Sequence, residues 1–244
     1  MQLNLVRRQT ERGLGLVELM VGITIGLIVA AGASMVAVNQ INEHRQLMLE
    51  VQLQQDLRTA ADLIQQDMRR AGYRGLGQNS IWQPASGVGS ASELPAVAAS
   101  ANPYAALVKT DDALARTLTY SYAQTYSNFS DVPRDNEALG IQWDKTSQVL
   151  YLKLGMRDGA ANWQPITDPE SVRIIDFDIT VTSQTLDIAD FCDQPCSGTG
   201  CPQQAVRRVE FTIRGQARHD PNVIRTLSGV ERIRTDALSG ACPS

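Results

Sequence analysis

Arg12-Gly13-Leu14-Gly15-Leu16-Val17-Glu18-Leu19-Met20-Val21 opens onto an uninterrupted apolar run, residues 19–38, in which twenty residues carry no charge. Twenty residues of helix are about what crosses ~30 Å of hydrocarbon. Arg7, Arg8 and Arg12 precede the run, so the short N-terminus is expected to stay cytoplasmic and the rest to be exported. A cleaved secretory signal is a competing reading, with small residues at Ala31-Gly32-Ala33, but its apolar region is usually only about 7–15 residues. A plain single-pass anchor and a buried core helix also compete. None of the three accounts for Glu18, which sits inside the apolar stretch. A carboxylate in a membrane costs up to roughly 2.5–3.5 kcal/mol at the helix centre, so it calls for a partner or a task.

Across the whole chain, the 244 residues are 43% hydrophobic and 20% charged, the balance of a packed protein and not of a disordered one. The net charge of -4 argues against a nucleic-acid partner, which selects for a basic patch or stripe. Two histidines leave little room for His-based catalysis. G-x-S-x-G, P-loop and H-E-x-x-H patterns are missing, so no catalytic residue, cofactor or metal is expected. His219-Asp220-Pro221 reads as a turn. Asp131, Asp135 and Glu137 lack the EF-hand spacing and read as a solvated acidic loop.

The stretch from Arg12 to Val21 resembles the type III signal of prepilins. That resemblance implies a basic leader cut after Gly13 by a dedicated peptidase on the cytoplasmic side, with methylation of the new N-terminal Leu14. Glu18 then falls at the fifth mature position. Leu14 replaces the usual Phe and Gly15 the usual Thr or Ser. The family gives Glu18 the role of guiding each new subunit into a filament. The physical basis is a pairing of its carboxylate with a neighbour's α-amine, whose reference pKa of about 7.7–8.0 keeps it largely protonated. A lone buried charge is expensive, and the pair is tolerable only together. Gly22, Gly26, Ala30 and Ser34 recur every four residues and are expected to form a close-packing helix surface, with Gly22–Gly26 a GxxxG match.

Past residue 38 the chain turns polar but keeps a helical period. Leu49, Leu53, Leu57, Ala60, Ile64, Met68 and Ala71 form one stripe, with Glu50, Gln54, Gln55, Arg58, Asp62, Gln65, Gln66 and Arg69 on the other faces. No proline occurs from 14 to 82, so one helix is expected over about 14–71, on the order of 85 Å long. Gly72, Gly75 and Gly77 would end it. Residues 78–103, rich in Ala, Ser, Gly and Pro and containing Trp82, read as a loop. Strands are expected where Leu118, Tyr120 and Tyr122 alternate with Thr and Ser, over 149–154, where Ile175, Phe177, Ile179 and Val181 alternate with polar residues, and at Val209, Phe211 and Ile213. This alternation predicts an antiparallel sheet with one face covered by the helix stripe.

The order of elements is that of the pilin-like ladle, an α+β fold with a long N-terminal α-helix packed on an antiparallel β-sheet. Asp67-Met68-Arg69-Arg70-Ala71-Gly72-Tyr73 resembles the D-x-R-x-A-G-[YF] helix end of PilW-like minor pilins and of J-type minor pseudopilins of type II secretion. The expected organisation is a leader at 1–13, a transmembrane or filament-core half-helix at 14–38 and an amphipathic half-helix at 39–75. A variable loop at 76–103 and a periplasmic β-rich domain at 104–244 follow. The resemblance implies a structural minor pilin that primes or caps a type IV pilus. Its partners would be other minor and major pilins, the prepilin peptidase, the inner-membrane assembly platform and the membrane, with no nucleic acid. A type II secretion pseudopilin and a membrane-anchored periplasmic binding or enzymatic domain are the alternatives.

Cys192, Cys196, Cys201 and Cys242 all follow the membrane run, where an oxidising periplasm favours disulfides. Four cysteines allow three pairings. Sequence alone does not choose among them; the expected pairing is Cys196 with Cys201, closing the Ser-Gly-Thr-Gly turn, and Cys192 with Cys242, stapling the tail. A zinc site built from all four cysteines would want paired C-x-x-C knuckles, which are missing.

Overall fold

A single helix, α1 (Leu16–Arg70), carries both the apolar run and the amphipathic stripe without a break. The computed structural model describes residues 15–75, 77–80, 100–124 and 132–243. The chain divides into two units, Met1–Met48 and Leu49–Ser244. In the first unit the described residues of α1 are exposed on every side, and an 18-residue window there has a mean hydropathy of 2.2. A helix that is apolar all round has no polar face to give to water, which is the pattern of a membrane span.

The second unit is built on the rest of α1 and two antiparallel sheets. Leu53, Leu57, Ala60, Ala61, Ile64, Met68 and Ala71 are buried, so the predicted stripe is the face that packs, with Leu49 at its edge. The first sheet is a meander of β1 (Val108–Asp111), β2 (Ala115–Ser121), β3 (Ala138–Asp144), β4 (Val149–Arg157) and β5 (Ala160–Pro165), ordered as in the chain. Arg157 pairs with Ala160 across Asp158-Gly159, both at positive φ (52° and 78°), as a two-residue hairpin turn of this kind requires. The second sheet has the order β6 (Val172–Asp187), β7 (Gln203–Ala217), β8 (Ile224–Arg232), and β9 (Ala237–Ser239) also pairs with β7. The antiparallel layer is thus divided into two sheets, which one alternation pattern per strand does not reveal.

Both sheets feed one core. Leu118, Ile141 and Leu150 from the first meet Ile174, Phe177, Ile179, Phe211 and Ile213 from the second, together with the helix stripe. Gly215 on β7 lets the helix approach. A Cβ there would come within 2.9 Å of Leu57 and 3.1 Å of Leu53. The alternation predicted for β6 is corrected at its start. Ile174 is the fully buried residue and Ile175 only half-buried, because the β6–β7 register shifts between Ile174 and Asp176. That irregularity inserts a residue and moves the inward set by one.

Two side chains of the first sheet and a carbonyl of its β3–β4 turn join it to β6. The Trp143 indole Nε1 donates to the Ile174 carbonyl at 2.9 Å, the Arg116 Nη1 donates to the Phe177 carbonyl, and the Ile174 N–H donates to the Gln148 carbonyl at 2.8 Å. These bonds occupy backbone groups that β6, paired among the described residues with β7 alone, would otherwise leave open.

Candidate functional site

Glu18 lies in the first turn of α1, next to N–H groups that the helix itself cannot satisfy, a position where the helix dipole favours an anion. Its side chain is exposed. Gly22 and Gly26 are bare, with nothing within 4 Å of where a Cβ would stand. Ala30 and Ser34 continue the series and are exposed as well. The Ser34 hydroxyl donates to the Ala30 carbonyl at 2.8 Å, and the Thr24 hydroxyl donates to the Val21 carbonyl at 2.9 Å. Both polar groups are therefore satisfied within the helix and need no water. Each step of four residues turns about 40° round the axis, so the small-residue series is an inclined ridge and not a straight line. Gly13 and Leu14 lie outside the described residues, as do Trp82 and Asp131.

The stretch from Asp67 to Gly75 forms the other end of the helix, and each of its marked residues has a visible task. Asp67 is buried and accepts from the Tyr120 hydroxyl at 2.6 Å and, longer, from the Tyr122 hydroxyl at 3.5 Å. Burial pushes its carboxyl up, against the opposing pull of the Tyr120 hydroxyl, the Arg70 charge and the Tyr122 hydroxyl. Burial beside Asp67 likewise holds the Tyr120 phenol well above its ordinary value. Arg69 pairs with Glu231 of β8 at 3.0 Å. Arg70 stands over the Tyr122 ring at 5.0 Å. Ala71 is fully buried. Gly72 terminates the helix at φ +76°, and a Cβ there would lie 2.8 Å from the Arg207 Nη2. The D-x-R-x-A-G pattern is thus a docking plug. It anchors the helix end into both sheets at once.

One acidic reading is corrected. Glu137 is not solvated but fully buried, in a 3₁₀ turn at Asp135–Glu137. Its carboxylate accepts from the Arg134 N–H at 2.9 Å, the Gln124 N–H at 3.0 Å and the Tyr104 hydroxyl at 2.8 Å. Burial opposes its ionisation, but these three donors and the Arg134 charge outweigh it and hold the carboxyl below its usual range. Spacing in sequence gave no sign of this, because the donors come from three separate segments.

All four cysteines are in disulfides. Cys192 bonds to Cys242 with Cα atoms 5.4 Å apart, and Cys196 bonds to Cys201 at 5.7 Å. Among the described residues no group of three or more His, Cys, Asp or Glu side chains is placed to hold a metal. Asp220 accepts from the Asn222 N–H at 3.0 Å, so His219-Asp220-Pro221 is an Asx-type turn.

The prepilin peptidase-dependent protein B family model matches residues 46–233, which includes the helix end, β1 to β8 and three of the four cysteines. The chain belongs to this family. A model of the prokaryotic N-terminal methylation motif matches residues 8–34, spanning the Gly13–Leu14 junction, Glu18 and the ridge of small residues. No curated protein and no solved structure matches the chain. Membership gives a pilin-like protein, type IV pilin or pseudopilin in kind, with a helix long and apolar enough to anchor it in a membrane. The family match also covers Asp67, Tyr120 and Glu137.

Proposed function

We propose that the chain is a structural minor pilin that helps to prime or cap a type IV pilus. The observation that carries this reading is the coincidence, on one helix, of the methylation motif over 8–34 with a first-turn carboxylate and an unpartnered apolar surface. In this account residues 1–13 are the leader. The prepilin peptidase cuts between Gly13 and Leu14 and methylates Leu14. Residues 14–38 hold the subunit in the inner membrane and later enter the filament core. The remainder, 39–75 with the loop 76–103 and the domain 104–244, stands in the periplasm. There it meets other minor and major pilins above the assembly platform. Catalysis is no part of the role. The new amine and the Glu18 carboxylate of adjacent subunits neutralise each other, which makes transfer from lipid to filament favourable. The i+4 ridge of Gly22, Gly26, Ala30 and Ser34 gives a neighbouring helix a close approach.

The Asp67–Gly72 pattern also resembles that of J-type minor pseudopilins, so assembly into a type II secretion pseudopilus is the second reading. Deleting the gene separates them: lost surface filaments with normal secretion favour the pilus, the converse favours the pseudopilus. The processing step is tested by mass spectrometry of the membrane-extracted protein. The leader carries three Arg and one Glu, so its removal shifts the formal charge from -4 to -6. An N-terminus at methylated Leu14 is expected. One at Met1, or near Ser34, contradicts the proposal.

A further inference from the structure

A cavity of about 690 Å³ opens beside the C-terminal end of α1, and the assembly chemistry at Glu18 makes no use of it. It is lined by Arg69, Arg70, Tyr73, Tyr122, Arg234 and Thr235, and among the described residues no carboxylate lines it. Three guanidiniums around one opening are unexpected in a chain whose net charge is -4.

Their states differ. Arg69 is tied to Glu231 at 3.0 Å. Arg70 is held over the Tyr122 ring, and its Nη1 donates to the Tyr122 hydroxyl at 3.4 Å. Arg234 is exposed and, among the described residues, has neither an ion pair nor a hydrogen bond. The pocket therefore offers one guanidinium positioned over an aromatic floor and one with all its donors free. Tyr73, 48% exposed, stands at the rim as an apolar wall with a polar tip. Planar guanidinium forks match carboxylates bidentately, and the tyrosines suit an aromatic or aliphatic flank.

We propose that this pocket docks an acidic peptide segment, with an aromatic residue beside its carboxylates, presented by a neighbouring pilin subunit. The proposal rests on the assembly reading above for where such a segment comes from. A nucleic-acid backbone fits less well, since it calls for a stripe of cations along a track and here only three stand together. A segment of the required chemistry is displayed on this chain itself. Asp187, Asp190 and Asp193 flank Phe191 in the sequence, Phe191 is 84% exposed, and Cys192 beside it is tied to Cys242. That segment shows that a subunit of this family can carry a ligand of this chemistry on its surface.

The probe is a labelled synthetic peptide of residues 186–193 carrying Cys192→Ser, titrated by fluorescence anisotropy onto the full chain in detergent micelles. Saturable binding is expected, weakening as salt is raised. Arg234→Glu should weaken it at least tenfold with an unchanged Tm, because this side chain supports nothing else. Arg234→Lys should retain part of the affinity. A peptide with Asn in place of its three Asp should not bind. Glu18→Gln should bind the peptide like the wild type, so a failure of the assembly reading and a failure of the pocket are separately visible. Absence of saturable binding, equal affinity in Arg234→Glu, or displacement by inorganic phosphate at equimolar concentration would overturn the proposal. The last result would mark a small-anion site instead.

Discussion

Asp67 is the residue on which the helix end turns, and it illustrates why a buried carboxyl can be structural. The Tyr120 hydroxyl has one strong acceptor, and that acceptor is Asp67. Asp67→Ala would leave the hydroxyl buried without a partner, costing about 1–3 kcal/mol. Asp67→Asn keeps an acceptor oxygen and removes a charge that burial already disfavours. The expected order in thermal melts of the full chain in micelles is therefore Asn close to wild type and Ala lower by several degrees, at about 2–4 °C per kcal/mol. The pH sign follows from the raised carboxyl. Its contribution favours the folded state most below the unfolded value of 3.8 and is lost as pH rises through the higher folded value. Asp67→Asn should accordingly gain on wild type above that window. Equal losses for Asn and Ala would show that the charge itself, and not the accepted hydrogen bond, holds the helix end.

At the scale of elements, the sheets are joined by a clamp with the opposite pH sign. Lys109 reaches Asp178 at 3.2 Å, Arg116 reaches Asp111 at 2.8 Å and Asp178 at 3.3 Å, and Lys145 reaches Asp111 at 2.7 Å. For Asp111, the hydrogen bond from Lys145 leads in holding the carboxyl below its usual value. For Asp178, burial opposes ionisation, but the Lys109 hydrogen bond and charge and the Arg116 charge prevail. A lowered carboxyl stabilises above its unfolded value of 3.8 and loses that effect as pH falls through the folded one. Asp178→Asn should flatten the acid limb of the Tm–pH curve and leave the limb above about pH 6 parallel to wild type. An unchanged acid limb would mean the clamp does not couple the sheets. The tail is held differently. Reducing Cys192–Cys242 releases a loop with a sequence separation of 50, worth roughly 4 kcal/mol in the chain-entropy model. Cys192→Ser/Cys242→Ser should lower Tm by many degrees while Cys196→Ser/Cys201→Ser, closing only a short turn, should lower it less. The reverse ranking would place the stapling in the short loop.

Across the whole molecule, what could be read from the sequence is what each segment carries in its own period. The stripe from Leu53 to Ala71 and the alternation of Val209, Phe211 and Ile213 report burial directly, because a helix or a half-buried strand repeats its own facing. Strands such as β1, exposed at all four positions, and β5 have no such signature. Their existence depends on the partner they pair with. The division into two sheets, the shift at Ile175 and the burial of Glu137 are likewise settled by contacts between distant segments. The arginine pocket is of the same kind, assembled from the helix end, the residues after β2 and those after β8.

Glu18 is the reverse case, a residue singled out by its offset within the motif over 8–34, whose proposed role needs a partner outside this chain. In the reading proposed above, its charge serves assembly and not folding. The direct measurement is co-purification of wild type, Glu18→Gln and Leu19→Ala with the other minor pilins at matched expression, with surface filaments counted in parallel. Glu18→Gln should accumulate and be cleaved normally, since the uncharged side chain is cheaper to place in lipid. It should nonetheless recover markedly fewer partners and filaments, while Leu19→Ala stays close to wild type. Equal partner recovery with intact filaments in Glu18→Gln would contradict the claim.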